Sequence, residues 1–316
     1  MNDYIDNIMS RIMIAFNKNA DQDKRHHIWN WCNDHSNKVE ITKDNLENMS
    51  NNALVFGFFG LTCPPLHTNT IIAFAKAVGF MGIENPESAG KQLCKANLNI
   101  LPNHELLQKI EENIGFKIYM PDFIGNGDLP IPEHGIITNR HCYYLWILKK
   151  IIELCPDRNT GIIEIGAGMG FLGYYLDKMG YKDYTTIDLA RVNACQTYFL
   201  ARNLPDREII LSGEKENPFD LQHKDSIKIL HSSDFKNIEK NRFGIMINTD
   251  SLTEMIIEEA NKYIQSDCAP LLLSINHEIN EYRVIDLARP YWKLLYRYPF
   301  WLRDGYVEEL YQLENH

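Results

Sequence analysis

"GIIEIGAGMGFLGYYL", residues 161–176, is the stretch on which the fold turns. An apolar, β-branched run, Ile162, Ile163 and Ile165 with one acid, Glu164, leads directly into glycines at 166, 168 and 170. A short run of this kind bounded by glycine reads as a buried strand. The segment after it, "FLGYYLDKMG", reads as a helix stopped by Gly180. Strand, glycine loop and helix together make a cradle for a nucleotide-like ligand. The glycines permit positive φ and close approach, and the helix start offers free N–H groups.

Two ligand frames compete for this loop. Gly168, Gly170 and Gly173 satisfy G-x-G-x-x-G, the dinucleotide pattern. The strand ends at Ile165, however, so the tight-turn glycine is Gly166. Counted from there the pattern needs glycine at 171, where Phe171 stands. A pyrophosphate fingerprint starts at the strand end, so that frame is displaced by two residues. The second frame is the E/D-x-G-x-G-x-G loop for S-adenosyl-L-methionine (SAM). Glu164, Gly166, Ala167, Gly168 and Gly170 fill it without a gap. This ligand has no phosphate but carries a methionine ammonium, which calls for an acid beside the loop. A second acid at the end of the next strand would take the ribose hydroxyls. Asp188 in "YTTIDL" stands there, with Leu189 next to it. The plainer alternative is a tight turn with a buried strand acid. With both acids in register the expected cofactor is SAM, leaving S-adenosyl-L-homocysteine as product.

Outward from the loop the pattern alternates. Strands are expected at "DYTTIDL", "REIILSG", "SIKILHSS", "FGIMINT" and "APLLLSIN", with helices at "ARVNACQTYFLARNL" and "SLTEMIIEEANKYIQ". This implies an α/β fold with a mostly parallel sheet covered on both faces. "YWKLLYRYPF" and "GYVEELYQL" follow each other closely and are expected to close the sheet as an antiparallel pair. Before the loop, "YIDNIMSRIMIAF", "TNTIIAFAKAVGF" and "NHELLQKIEENIG" have helical apolar spacing. The Pro/Gly-rich "PDFIGNGDLPIPEHG" at 121–135 reads as a linker or functional loop, and a helix opens at Thr138. The division expected is a helical N-terminal substrate or lid region at 1–128, over the carboxyl ends of the strands, and a cofactor domain at 129–316.

The bulk numbers exclude several classes. The chain has 316 residues and a net charge of -10, and its basic clusters, such as "DKRHH" at 23–27, are small. Nucleic acid is therefore not an expected partner. Seven scattered cysteines without a CxxC argue free thiols in a reducing compartment. The N-terminus lacks a clean apolar signal core, and "ALVFGFFGLTCPPL" at 53–66 is too short and too broken to span a bilayer. A cytoplasmic chain with no membrane partner is expected.

From Gly166 onward the layout resembles a class I SAM-dependent methyltransferase, whose Rossmann-like sheet ends in an antiparallel insertion. Over about 124–316 the chain is similar to the sugar O-methyltransferase family of bacterial glycan and natural-product clusters. The resemblance rests on "IGNG" at 124–127, the loop itself, "YTTIDL" with "TYFL" after it, "INTDSLTEM" at 247–255 and "WLRDGYVEELYQL" near the end. Ala167 and Met169 depart from the family's usual Gly and Tyr. The first 120 residues match nothing. The resemblance implies O-methylation of a sugar hydroxyl in a glycan, nucleotide sugar or glycosylated metabolite. The alternatives are N- or O-methylation of another small molecule or a protein side chain, and a non-catalytic partner subunit. The partners expected are a small-molecule or glycan acceptor and, at most, further copies of this chain as a homo-oligomer.

The site should lie beyond the carboxyl ends of the strands. A sugar hydroxyl is a weak nucleophile, so a base is expected there. His277, after "LLLSIN", is the first choice, and its rate should fall below about pH 6 as the imidazole protonates. Asn248 is a candidate for substrate or cofactor contact. Ser251 to Glu254 reads as a capping box, which competes with a catalytic Glu254. Asp250 either starts the helix or meets substrate. His134 and His141 flank a helix that packs near the cofactor in the resembling family. Arg140, Tyr143 and Tyr144 could line the methionine end. Ser232, Ser233 and Asp234 are placed for adenine, and Arg303 for an anionic sugar or phosphate. No tight Asp/Glu cluster is legible after a core strand, so no metal is expected.

Overall fold

The computed structural model describes residues 2–22, 38–52, 54, 64–82, 101–124, 129–138 and 140–314. "DKRHH", most of 53–66 and most of "IGNG" lie outside them. The described elements are helices α1 (Asn2–Asn19), α2 (Lys43–Glu47), α3 (Pro64–Ala77) and α4 (Asn103–Ile114), then the hairpin β1 (Leu129–Ile131) and β2 (Gly135–Ile137), and α5 (His141–Leu154). The remainder is β3 (Ile162–Ile165), α6 (Phe171–Lys178), β4 (Tyr184–Asp188), α7 (Ala190–Asn203), β5 (Ile209–Leu211), β6 (Ile227–His231), β7 (Ile245–Thr249), α8 (Ile257–Ile264), β8 (Leu271–His277), α9 (Val284–Ala288), β9 (Trp292–Pro299) and β10 (Tyr306–Leu313).

Eight strands form one sheet in the order β5-β6-β4-β3-β7-β8-β10-β9. Strands β5 to β8 are parallel, and β10 runs antiparallel to both of its neighbours. This is the mostly parallel, Rossmann-like sheet with a reversed last pair expected from the sequence, with the short β5 at one edge. The order reverses beside β3, which makes the carboxyl ends of β3, β4 and β7 the crevice position of open α/β sheets.

The central strands read as unbroken apolar runs because both faces are covered. Alternate residues sort onto the two faces. Ile162, Tyr184, Ile229, Ile247 and Leu273 pack with residues of α1, α5, α6 and α7. Ile163, Ile165, Ile187, Met246 and Leu272 pack with α8 and α9. By the same alternation Glu164 shares the face of Ile162, so its carboxylate is carried into the layer of α5 and α6.

Several local readings change. The 121–135 stretch contains strand β1, whose partner β2 sets Leu129 against Ile137. The helix expected to run from 251 is broken: Leu252–Glu254 form a single 3-10 turn, and α8 starts only at Ile257. In the N-terminal region, α1 lies against α7 and β5. Arg11 pairs bidentately with Glu214 at 2.6 and 2.7 Å, and Asn19 donates to Ser212 Oγ at 3.1 Å. Glu47 of α2 takes bonds from Tyr198 and Arg202 of α7. Cys142, Cys155, Cys195 and Cys268 are free and buried. No described helix is long and apolar enough to cross a membrane.

Candidate functional site

Register brings the chemistry together. Glu164 stands beside Thr186 and Ile247, Asp188 beside His231, Ile165 beside Asn248, and His277 opposite Tyr306. One half of the crevice is the glycine loop. Gly166, Gly168 and Gly170 have φ of 73°, 56° and 79°, a region that L side chains rarely enter. The loop is pinned from three sides. Gly166 N–H donates to Ile187 O at 2.8 Å, Gly168 N–H to Asp188 Oδ2 at 2.9 Å, and Gln196 Nε2 to Gly168 O at 3.1 Å. Asp188 also accepts from Leu189 N–H at 2.7 Å, so one carboxylate holds both the loop and the start of α7.

Glu164 has no exposed surface. Tyr184 donates to its Oε2 at 2.5 Å, while Oε1 has no partner among the described residues. Burial pushes its carboxyl up to about 8, against the Tyr184 bond, and Asp188 adds to the rise. A buried carboxylate with an idle oxygen is costly unless a donor or a positive charge meets it. Tyr184 was missed at the sequence level because nothing short of strand register places it beside Glu164.

The other half is built on β7 and β8. Asn248 was expected to contact a ligand. In the structure it is fully buried, and its amide donates to Ile165 O at 2.8 Å and to Ser251 Oγ at 2.5 Å. Its oxygen accepts from Leu252 N–H at 3.2 Å and from Asn276 Nδ2 at 2.8 Å. Two donors and two acceptors are thus all engaged with protein, and Asn248 ties the ends of β3, β7 and β8 together. The capping-box reading also fails. Ser251 makes no side-chain cap and donates its hydroxyl to Ile165 O at 3.1 Å.

Glu254 instead reaches His277, Oε1 to Nε2 at 3.1 Å. The bond to Glu254 raises the imidazole above its ordinary value, partly opposed by burial. Asp250 does not start a helix. It receives Tyr306 on Oδ1 at 2.5 Å, and Arg140 at 3.2 Å together with Arg303 on Oδ2. It adopts φ 56°, a left-handed conformation that costs a non-glycine residue about 1 kcal/mol. Arg303 stacks 4.0 Å over the Tyr306 ring. Arg140 and Arg303 were read as facing a ligand; each gives at least one guanidinium N–H to Asp250.

Other candidates fall elsewhere. His134 is buried between Pro132 O, 3.1 Å away, and Glu111, 3.3 Å away, and so serves the hairpin's contact with α4. His141 is buried against Phe171, with Nδ1 at 2.8 Å from Tyr175 Oη and 3.1 Å from Met120 Sδ. It packs under the start of α6. Ser233 and Asp234 cap the start of the 3-10 segment Ser232–Asn237 after β6: Ser233 meets His231 Nδ1, and Asp234 accepts from Ser212 Oγ at 2.6 Å.

Against the expectation of no acidic cluster after a core strand, one forms at the ends of β7 and β8. Asp250, Glu254 and His277 offer ligand atoms within 4.8 Å of one another. Asp250 is already met by two guanidinium groups and Glu254 by the Nε2–H of His277, so a cation would have to displace those partners.

No family model matches the chain, and no curated protein matches it. Solved structures do. One is the PH0226 protein from Pyrococcus horikoshii OT3, at 10% identity over 56% of this chain and 92% of that chain, TM-score 0.42. Another is a TehB-like SAM-dependent methyltransferase from Corynebacterium glutamicum, at 14% identity over 52% and 86%, TM-score 0.37. A third is the glycopeptide N-methyltransferase MtfA complexed with S-adenosyl-L-homocysteine, at 14% identity over 54% and 89%, TM-score 0.40.

Proposed function

We propose that the chain is a SAM-dependent methyltransferase acting on a hydroxyl group, with a sugar as the acceptor class. One observation carries the reading. Two acids flank a glycine loop of positive φ: Asp188 already bonded to the loop, and Glu164 fully buried with an oxygen left idle. Glu164 faces the need of an ammonium group. Asp188, which holds Gly168 N–H and Leu189 N–H at the end of β4, faces the need of vicinal hydroxyls. When bound, SAM supplies a methyl group already activated on a sulfonium.

The chain's own part is positioning and proton transfer. His277 donates Nε2–H to Glu254, which leaves the lone pair on Nδ1, a buried atom with no partner among the described residues. His277 Nδ1 would take the proton of an acceptor hydroxyl held beside it as that oxygen is methylated. Glu254 stabilises the imidazolium that forms. The sugar is taken as the acceptor class from the resemblance that rests on "INTDSLTEM" and "WLRDGYVEELYQL".

The test is calorimetry with SAM and with NADH, followed by incubation with labelled SAM and a panel of nucleotide sugars and lysate glycans. Binding of SAM and label on a sugar oxygen are expected. Asp188→Ala should weaken SAM by about 2 kcal/mol. NADH binding without SAM binding would overturn the cofactor, and label on nitrogen or protein would overturn the acceptor.

A further inference from the structure

Three non-glycine residues among those described have positive φ. Glu133 and Asn241 lie in turns between elements. Asp250 does not: it follows Thr249, the last residue of β7, at the crevice. Such an outlier persists only where its surroundings over-determine it, and here they do. Its N–H donates to Ile275 O at 2.9 Å, Tyr306 takes one carboxylate oxygen, and Arg140 and Arg303 take the other. These partners come from three places: the residue before α5, strand β8, and the β9–β10 connection with the start of β10.

The turn at Asp250 brings the next residue back over the glycine loop. Ser251 N–H is held by Asn276 Oδ1 at 3.1 Å, and its hydroxyl bonds Ile165 O. Ser251 Oγ lies only 2.1 Å from where a Cβ on Gly166 would stand. Gly166 is therefore glycine both for its φ and because Ser251 occupies the space. A chain continuing extended from Thr249 would carry Ser251 away from the loop.

We propose that Asp250 is a positioning residue: clamped left-handed by Arg140, Arg303 and Tyr306, it seats Ser251 on Gly166 and sets the spacing between the glycine loop and the His277–Glu254 pair. The effect on turnover rests on the methyltransferase reading; the effect on the loop does not. Hydrogen exchange of the cofactor-free chain separates the two. D250N keeps a residue tolerant of left-handed φ but loses the charge, D250G keeps only the φ, and D250A keeps neither.

Exchange at 164–170 should rise in the order D250N, D250G, D250A, reaching about tenfold, while the 129–137 hairpin keeps the parental rate. Turnover with labelled SAM should fall in the same order, with SAM affinity within about threefold for D250N. R303M should act in the same sense as D250N, and the double variant should be no worse than the poorer single, because both act through one clamp. If D250A does not fold, D250G and D250N decide. Unchanged loop exchange in D250G overturns the proposal whatever the cofactor. A uniform rise in exchange along the chain, with turnover per folded molecule unchanged, also overturns it. Failure of the parent to bind SAM sinks the methyltransferase reading and leaves the exchange result to decide this one.

Discussion

His277, the last residue of β8, sets its Nε2 3.1 Å from Oε1 of Glu254, which closes the 3-10 turn after β7. The pair joins the two strand ends through a charge-assisted bond and fixes which ring nitrogen is left to accept a proton. His277→Ala should lower turnover by about 10²–10⁴ and leave SAM affinity nearly intact, measured by single-turnover kinetics beside calorimetry. Equal turnover in this variant would remove His277 as the base.

The same bond moves the pH dependence. The sequence alone suggested a fall below about pH 6. Because Glu254 raises the imidazole above 6.5, the neutral form, and with it the rate, should appear only at an inflection above that value. Glu254→Gln should shift the inflection down. A folded-state histidine value raised in this way stabilises the fold below the unfolded value and ceases to do so as pH rises through the folded one. Urea midpoints of parent and Glu254→Gln should therefore differ more at pH 5.5 than at pH 9; equal differences would show that the bond is not ionic.

Glu164 makes a prediction of opposite use. With its carboxyl at about 8, the empty protein holds a proton there at neutral pH. As pH rises from the ordinary glutamate range towards 8, the unfolded chain ionises first and the empty fold loses stability. A cationic ligand reverses this by favouring the anion, so SAM affinity should rise with pH up to about 8. Binding near pH 7 should release a proton, read as a buffer-dependent calorimetric enthalpy. Glu164→Gln should bind more weakly and release none; a parent whose enthalpy is the same in every buffer would contradict the account.

Asn248→Ala should cost stability rather than chemistry. It takes the acceptor from Leu252 N–H and one of two bonds from each of Asn276 Nδ2 and Ile165 O at a buried junction. A loss of about 3 kcal/mol is expected by denaturant titration, since unsatisfied buried groups cost 1–3 kcal/mol each and some will relax. A loss below about 1 kcal/mol would mean that Asn248 is not what holds the strand ends together.

Gly173→Ala pits two effects against each other. In a helix the change gains about 1 kcal/mol from propensity. Here the new Cβ would meet the Tyr184 ring at 2.4 Å. Overpacking of that kind costs about 1–3 kcal/mol, so net destabilisation is expected. Displacing Tyr184 would also remove the one donor to the Glu164 carboxyl among the described residues, so SAM affinity should fall with stability. A variant more stable than the parent would place the ring elsewhere.

Much of the molecule was legible along the chain because its determinants are local. The β-branched run ending at Ile165, the glycines with positive φ, and Asp188 at the end of the next strand are set by strand periodicity and by what glycine alone tolerates. The alternation of strands and helices likewise implied the parallel sheet and its reversed last pair. What only the tertiary structure decided depends on register and on turns that no local pattern encodes. Ser251 and Glu254 have the spacing of a capping box, yet one seats on Gly166 and the other reaches His277, because Asp250 turns left-handed and the helix starts late. Asn248 looked like a ligand contact until its neighbours across β3 and β8 took all of its hydrogen bonds. The pairing of Glu164 with Tyr184, and of Asp250 with Arg140 and Arg303, joins residues whose partners are chosen by which strands lie side by side, a choice made by burial over the whole sheet.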